Sequence, residues 1–513
     1  MNGSAQALYG RLENDRWTFL SRARECAKVT LPFLIPPLGH GPVNALPTPY
    51  QGIGARGVNN LASKLILGLL PPNAPFFRLI IEDSSLMRSD MEQMRTEIDL
   101  ALAAAERSLM SELDGSTLRQ VAFETFRHLV VGGNGLLFIP DDGLEFRHFS
   151  LENYVVERDP RGNILNIVTC ETISPQILSE EVQEQLKREG NASSDKTVNL
   201  YTAACRYGDK FKTWQEVGGI VLPDSEGEYS EEALPYICLR WNHISGESYG
   251  RGLVEEYLGD LLSLEGLSRA IVEGSAASAK MLFLVNPNGI TRAKTLAESP
   301  NGAIRDGNAA DVTVLQANKF ADFRIAFETI NTISERLGHA FLLNTAVQRQ
   351  GERVTATEIR AMLDELESSL GGTYSTLAAE FQMPLVKQVM QRMAKQGRFP
   401  KLPKNTVKPQ IVTGVQALGR GQDLMRLDTF VGGLVQTLGP EAMRRLNVSE
   451  YLNRRALALG VEPRGLVRSE EEIQQEMQQA QQAQTVGQLG PAAIQAGAKL
   501  AASPQGTEGA MSG

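Results

Sequence analysis

Two arginines in a short polar loop, Arg349 and Arg353, are charged residues that could meet phosphate groups. The loop reads Gln348-Arg349-Gln350-Gly351-Glu352-Arg353 and lies between two stretches with helical apolar spacing. Contact with a phosphate backbone would require many copies of this loop to face it. Alternatively, the two side chains only solvate the loop or cap the preceding helix through its C-terminal carbonyls.

Two glycine-rich strings resemble phosphate-binding motifs. Gly52-Ile53-Gly54-Ala55-Arg56-Gly57 matches the dinucleotide fingerprint, and its Gly52, Gly54 and Gly57 suggest a nucleotide-dependent oxidoreductase as an alternative function. The motif must follow a buried strand, whereas Pro47-Thr48-Pro49-Tyr50 precedes it here, so a turn that starts a helix is favoured. Gly414 to Gly419 has Walker-like spacing, but Arg420-Gly421 replaces the required Lys-Ser/Thr.

Other reactive residues form no recognisable catalytic or metal-binding set. Carboxylate pairs such as Glu255-Glu256 and Asp364-Glu365 fall on predicted helix surfaces, and His339 stands alone on a helix. The four cysteines are scattered without paired spacing, which predicts neither a zinc site nor a disulfide framework. We therefore expect no enzyme activity, no metal and no cofactor.

Composition points to a folded protein of several domains. The chain has 513 residues, 42% of them hydrophobic, and a formal net charge of -9, which argues against a broad basic face for nucleic acid. Met1 to Asn14 is too polar for a secretory signal, and the apolar run Leu65 to Leu70 is too short to span a bilayer. We expect a protein that is cytosolic or assembles in the cytosol.

The first half of the chain has an α+β pattern. Apolar spacing predicts helices at 4–28, 58–70, 89–113 and 116–131, and short β-type runs follow. The predicted strands are 136–139, 154–157, 164–172, 198–206 and 211–216. Gly132 to Gly135 should form the turn from the last helix to the first of these strands.

Two helices with a small sheet between them should follow, as a helical hairpin with a β tip. The first helix covers 254–280 and ends in Gly274-Ser275-Ala276-Ala277-Ser278-Ala279, whose small side chains would permit a close helix contact. Strands at 282–285 and 312–315 form the tip. The second helix begins near Arg324 and carries an apolar stripe that includes Ile333 and Leu337.

A second long helix should follow the polar loop. Thr355 to Glu358 forms a capping box, Gly371-Gly372 should bend the helix, and Pro384 should kink it. At 1.5 Å per residue, 356–396 would reach roughly 60 Å, which suits a strut better than a pocket. A strand at 408–412, helices within 415–467 and a Gln/Ala-rich tail complete the pattern, which overall is α+β and mainly helical.

Several stretches of the chain resemble the portal, or head-to-tail connector, proteins of short-tailed phages of the autographivirus type. The resemblance covers most of the chain and is carried in order by specific motifs. These are Gly54-Ala55-Arg56-Gly57-Val58-Asn59-Asn60-Leu61-Ala62-Ser63-Lys64-Leu65, Gly246-Glu247-Ser248-Tyr249-Gly250-Arg251, Glu255-Glu256-Tyr257-Leu258-Gly259-Asp260-Leu261, Leu284-Val285-Asn286-Pro287, Ala346-Val347-Gln348-Arg349, Gly351-Glu352-Arg353-Val354-Thr355-Ala356 and Gly419-Arg420-Gly421-Gln422-Asp423-Leu424.

The resemblance implies a ring of twelve copies, built from wing, stem, clip and crown regions. The implied regions are a wing at 1–253, stem helices at 254–280 and 323–344, a β-rich clip at 281–322, a channel loop at 345–354, a long wing helix and strand at 355–414, crown helices at 415–467, and a tail at 468–513 that is partly disordered or forms a barrel. A smaller tail adaptor ring is the alternative within the same particle.

The implied function is a conduit for double-stranded DNA during packaging and ejection, and a nucleator of procapsid assembly. The implied channel residues are Gln348, Arg349, Gln350, Glu352 and Arg353, and the implied stem contacts between subunits are Gly274, Ala276, Ala277 and Ser278. Expected partners are further copies of the chain, viral DNA, the terminase large subunit, a tail adaptor or tube protein, the major capsid protein, the scaffolding protein and internal core proteins. The expected location is the portal vertex of the virion, after assembly in the host cytoplasm.

Overall fold

The computed structural model describes most of the chain up to residue 439. Described are residues 3–41, 43–71, 75–81, 95–141, 143, 145–188, 197–278, 282–315, 320–343, 366, 368–398, 407–411 and 419–439, with single residues 446, 448, 451, 452, 455, 456 and 466. The chain divides into two compact units, Met1–Ala417 and Leu418–Gly513. Each unit is described by itself.

The first unit contains helices and strands in mixed order. Its helices are α1 (Ala5–Lys28), α2 (Ile53–Leu69), α3 (Arg95–Asp114), α4 (Leu118–Gly132), α5 (Glu180–Arg188), α6 (Leu253–Glu256), α7 (Leu258–Ser278), α8 (Ala293–Ala297), α9 (Phe320–Ala340), α10 (Gly372–Leu377) and α11 (Met383–Lys395). Its strands are β1 (Phe77–Ile81), β2 (Asn134–Phe138), β3 (Arg147–Phe149), β4 (Tyr154–Arg158), β5 (Ile164–Ile173), β6 (Val198–Tyr207), β7 (Lys210–Val217), β8 (Ile220–Val221), β9 (Gly227–Ser230), β10 (Tyr236–Arg240), β11 (Leu282–Val285), β12 (Val312–Leu315) and β13 (Val407–Ile411). Short 3-10 helices lie at Leu151–Asn153, Pro175–Ile177, Glu231–Ala233 and Ala309–Asp311, and a π-helix lies at Ala378–Gln382.

The strands form four antiparallel sheets. The largest has the order β4-β5-β6-β7-β8, with β9 also paired to β7, and a three-stranded sheet has the order β10-β2-β3. β1 pairs with β13, which confirms that the predicted strand near 408 returns to the first unit. β11 pairs with β12, which confirms the predicted tip sheet.

Helix α1 packs on the large sheet because its apolar residues recur on one face. Tyr9 and Leu12 lie in one buried cluster with Val155, Val168 and Trp214 of the strands. The start of α1 is fixed by a buried carboxylate from β7. Glu216 accepts hydrogen bonds from the Ser4 hydroxyl and the Ala5 amide, both at 2.5 Å, and so occupies the positive end of the helix.

Helices α2, α4 and α11 form the second part of the core. Phe126 of α4 meets Phe381 of the π-helix edge-on, with ring centroids 5.4 Å apart. At the end of α4, Gly133 has φ +73° and closes the helix before β2, as predicted. The buried residues of α1, α2, α4, α11 and the sheets are called the main core below.

The glycine string lies inside a helix rather than in a phosphate-binding turn. Helix α2 begins at Ile53, five residues earlier than predicted, with Gly52 as its N-cap. Residues 45–50 form no strand, so the context that a dinucleotide motif requires is missing. A Cβ at Gly54 would lie 2.6 Å from the Val29 carbonyl, and therefore close packing accounts for this glycine.

The predicted hairpin consists of α7, the β11–β12 ribbon and α9, called the helical hairpin below. The prediction of one helix over 254–280 is wrong at its start, because the helix breaks at Tyr257 (φ -106°, ψ 13°). The break leaves α6 as a separate turn whose Leu253 and Val254 are buried in the main core. Helix α8, inside the predicted β tip, was not predicted.

The long helix after the polar loop is interrupted rather than kinked at proline. Gly371 has φ +45° and separates α10 from the helical residues before it, as the predicted bend at Gly371-Gly372 suggested. Pro384 stands in the first turn of α11, where a missing amide donor is tolerated. The irregular turn is instead the π-helix, where Glu380 accepts hydrogen bonds from the backbone and side chain of Arg240.

In the second unit, the structure describes helix α12 (Gly419–Leu438) and a few residues beyond it. The Tyr451 hydroxyl donates to Asp428 of α12 at 2.7 Å. Arg455 lies 3.5 Å from the same carboxylate. These contacts hold a later helical segment against α12.

Candidate functional site

The five predicted channel residues, Gln348, Arg349, Gln350, Glu352 and Arg353, lie outside the described residues. Their contact with DNA therefore remains a prediction. The described residues nearest to them in sequence are Leu342 and Leu343 at the end of α9.

The two helices of the helical hairpin, α7 and α9, contact each other at the end nearest the main core. The Arg336 guanidinium of α9 lies 2.9 Å from the Asp260 carboxylate of α7. Four apolar side chains of the two helices are buried at this end. They are Leu261, Leu264, Ile333 and Leu337.

The four predicted stem contacts lie in the last two turns of α7. Gly274 contacts α9 of its own chain, because a Cβ there would lie 2.8 Å from the Phe323 ring. Ala276 and Ala277 are exposed in the single chain, and the side chain of Ser278 lies outside the described part of the structure. Gly274 thus has an intrachain role, and contact of the other three residues with a neighbouring subunit stays a prediction.

The helical hairpin exposes several apolar side chains to solvent. Val272 of α7 is 54% exposed, and Ile325 and Phe327 of α9 are 65% and 58% exposed. Phe283 of β11 is exposed as well. Exposed apolar groups on neighbouring parts of one element are typical of an interaction surface.

The loops of the β tip are organised by one carboxylate. Asp311 accepts hydrogen bonds from the Ile290 and Thr291 amides at 2.9 and 3.1 Å. A Cβ at Gly289 would lie 2.3 Å from the same carboxyl group. The tip is therefore shaped by its own loops, while its two-stranded ribbon buries little apolar surface.

Helix α9 ends in a tight reversal held by side chains of α2. The Leu342 and Leu343 amides donate to the His339 and Gly338 carbonyls at 3.1 and 2.7 Å, and Leu342 has φ +54°. Asn60 of α2 donates to the Phe341 and Leu342 carbonyls at 3.1 and 3.0 Å. Lys64, also of α2, donates to the Leu342 carbonyl at 2.9 Å.

Two buried histidines, His128 of α4 and His148 of β3, stack with ring centroids 4.3 Å apart. His128 Nδ1 and His148 Nε2 have no hydrogen-bond partner among the described residues. Burial, together with the smaller effect of the Arg127 charge, lowers the pKa of His128 to about 3. Burial also holds the pKa of His148 well below its usual range, helped by His128 and Arg127. Both rings are therefore neutral packing groups near pH 7.

Within the described residues, no cluster of three or more His, Cys, Asp or Glu side chains could hold a metal ion. Over the same ranges, no helix is both long and apolar enough to cross a membrane. His339, for which the sequence left a core and a surface position open, is exposed on α9.

Sequence reasoning missed the role of Asn60 and Lys64, although both lie in a quoted motif. A usable signal was present. Lys64 lies three residues after Leu61 and next to Leu65, inside the apolar stripe of α2, where a charged side chain needs a partner. The partner itself, a carbonyl 278 residues away, could not be read from spacing.

Comparison with known proteins gives matches along nearly the whole chain. Residues 2–467 match the family described as "Bacteriophage head to tail connecting protein". The chain is 39% identical to the portal protein of Escherichia phage T7, covering 98% of this chain and 95% of that protein. It is 38% identical to the portal protein of Enterobacteria phage T3, covering 99% and 96%.

A solved structure is also similar, at a much lower level. A chain in the neck of an empty GTA particle computed with C6 symmetry covers 85% of this chain and is itself covered to 94%. The identity is 11% and the TM-score 0.40, values too low to support an argument.

Proposed function

The chain belongs to the bacteriophage head-to-tail connecting protein family, and we propose that it acts there as a ring of identical subunits through which double-stranded DNA enters and leaves the capsid. The predicted resemblance to phage portal proteins is thereby confirmed. The observation that carries the function is the 39% identity to a portal protein over 98% of the chain. Neither the oxidoreductase nor the tail adaptor alternative is favoured.

Assembly into a ring would cover the apolar surface of the helical hairpin. Val272, Ile325 and Phe327 would lose water contact if hairpins stood side by side, and burial of such groups favours association. Twelve helices, each about 10 Å across, would leave a bore of roughly 28 Å. A duplex with grooves about 8.5 Å deep is near 20 Å wide and would pass through it.

DNA would meet the ring at the 345–354 loop. Gln348, Arg349, Gln350, Glu352 and Arg353 would line the passage, and the two arginines would touch phosphates. The net charge of -9 supports a conduit, because phosphates at about one charge per 1.7 Å would stall in a strongly basic tube.

The proposed role includes several partners at the portal vertex of the virion. The terminase large subunit would dock during packaging and a tail adaptor or tube protein afterwards, while the major capsid, scaffolding and internal core proteins would surround the ring. Assembly would take place in the host cytoplasm. The role is structural, and we propose no catalytic activity and no cofactor.

Particle mass and shape test the ring directly. Twelve chains of 56.1 kDa give about 670 kDa. We expect purified protein to show this mass, and averaged electron micrographs to show cyclic symmetry with a hole wider than a duplex. A subunit that stays monomeric under every condition, or a ring with a narrower hole, would contradict the proposal.

Charge reversal tests the DNA contact separately. We expect the double variant Arg349→Glu/Arg353→Glu to form normal rings and to retain less DNA in packaged heads. The control is Arg107→Glu/Arg161→Glu, the same charge change at two exposed positions far from the loop in sequence. If both variants retain as much DNA as the native chain, the loop has no such role.

A further inference from the structure

The end of α9 holds a backbone conformation that its sequence does not favour. The Leu342 and Leu343 amides donate hydrogen bonds to the His339 and Gly338 carbonyls. This pattern often ends helices, and its left-handed residue is usually glycine. Here that residue is Leu342, with φ +54°. A leucine in this region is strained, so contacts from elsewhere must hold it.

Helix α2 supplies those contacts. The last carbonyls of a helix have no donor within the helix. Asn60 and Lys64 donate to the Phe341 and Leu342 carbonyls, which directly follow the end of α9. Lys64 is only 7% exposed, so its ammonium group is held in this position. A positive charge at this point also complements the negative end of the α9 dipole.

Gly57 completes the same face of α2. A Cβ there would lie 2.5 Å from Cγ of Phe341, a fully buried ring in the last turn before the reversal. Gly57, Asn60 and Lys64 are spaced by three and four residues and therefore share one helix face. Close packing against Phe341 therefore gives Gly57, the last glycine of the dinucleotide-like string, a structural role.

We propose that Gly57, Asn60 and Lys64, named the α2 clamp, position the 345–354 loop by fixing the chain reversal from which that loop starts. Only two residues separate the clamped Leu342 carbonyl from position 345. Because α2 is itself packed in the main core, the clamp ties the residues at the end of α9, which precede the loop in sequence, to that core. The consequence for DNA rests on the proposed function of the loop.

The test compares a clamp variant with a matched control. Asn60→Ala/Lys64→Met removes the three side-chain hydrogen bonds to the Phe341 and Leu342 carbonyls. The control, Asn59→Ala/Lys28→Met, makes the same chemical changes at a neighbouring residue of α2 and at an exposed lysine of α1. Assembled rings are exposed briefly to trypsin, and cleavage after Arg349 and Arg353 is quantified by mass spectrometry relative to cleavage after the exposed Arg188.

We expect clamp-variant rings of unchanged mass in which relative cleavage after Arg349 and Arg353 rises about tenfold, because the charged hydrogen bond from Lys64 and the two from Asn60 no longer oppose local opening. DNA retention in packaged heads should fall in parallel. Lys64→Arg keeps the charge and a donor, and should return both readouts close to native values when Asn60 is intact. A purely structural role would lower the thermal midpoint without changing the relative cleavage.

Cleavage and retention equal to the control would overturn the proposal. If the double variant fails to assemble, Asn60→Ala alone decides, since it leaves Lys64 in place and should raise the relative cleavage by a smaller factor. The experiments test the clamp and the DNA contact of the loop independently. Faster cleavage in clamp variants, combined with unchanged retention after Arg349→Glu/Arg353→Glu, would keep the clamp and reject the DNA contact.

Discussion

The main core and the helical hairpin differ in how far the chain itself buries their large apolar side chains. In the main core, large rings such as Phe126 and Phe381 are fully buried by the chain itself. In the helical hairpin, Ile325 and Phe327 remain more than half exposed although they are equally apolar. A single chain therefore buries the apolar groups of the first region, whereas those of the second stay exposed and would be covered only in the proposed ring.

The largest effect should come from a cavity in the main core. Phe126→Ala removes a buried ring packed on Phe381 and should lower the free energy of unfolding by about 3–5 kcal/mol. Phe327→Ala, the matched change in the helical hairpin, should change it by less than about 0.5 kcal/mol. Urea titration of the subunit below its assembly concentration measures both. Equal losses would remove the distinction between the two regions.

Acid should weaken the main core through His128 and His148. Their folded pKa values lie below the usual 6.5, so between those values the unfolded chain binds more protons and stability falls as pH decreases. With both rings neutral in the fold, the unfolding free energy should drop by about 3 kcal/mol from pH 7.5 to 5.5.

The measurement is unfolding free energy against pH for the native chain and for His128→Gln/His148→Gln, which should lose most of this slope. Exchange of histidine ring hydrogens with deuterium gives a second readout, with the exposed His243 and His339 as internal controls. Ordinary titration of His128 near pH 6.5 would rule out the buried neutral pair.

An effect on assembly alone should come from the end of α7. Ser278→Leu places a larger side chain at the last residue of α7, where unfolding of the single chain should change little. A close subunit contact there would be overpacked by about 1–3 kcal/mol. Ring yield, measured by particle mass, should fall. Ser111→Leu, on an exposed face of α3, should assemble normally. Intact rings from the Ser278→Leu chain would count against the contact.

The smallest effect should come from the ion pair that joins the two hairpin helices. Both side chains are partly exposed, so Arg336→Gln should cost no more than about 1 kcal/mol. Raising salt to about 1 M should remove most of that difference. Arg324→Gln, which breaks a pair within α9 alone, is the control. A loss that salt does not reduce would show that packing, rather than charge, carries the contribution.

Periodic segments were predictable from sequence because burial there follows a simple repeat. Helix α1 and strands β4 to β7 follow the spacing of three and four, or of two, and were placed to within two residues. Strand β10 was missed, since all five of its residues are buried and no alternation marks it. The break at Tyr257 was missed because the apolar spacing continues across it.

The candidate site was predictable only in part. Small residues at the end of α7 indicated a close contact, but sequence could not distinguish the intrachain partner of Gly274 from a neighbouring subunit. The hydrogen bond from Lys64 to Leu342 joins positions 278 residues apart, a distance at which local propensity gives no information. Long-range pairing of this kind depends on the assembled fold rather than on any window of sequence.

The Glu216 carboxylate at the start of α1 comes from a strand that is synthesised much later than the helix. Ser4 and Glu216 are 212 residues apart, so α1 leaves the ribosome before the carboxylate that accepts its N-terminal hydrogen bonds and before the sheet on which it packs. At a synthesis rate of 5–20 residues per second, that interval lasts roughly 10–40 s. During this interval the apolar face of α1 is exposed to solvent, and binding of a host chaperone would protect it most at this stage.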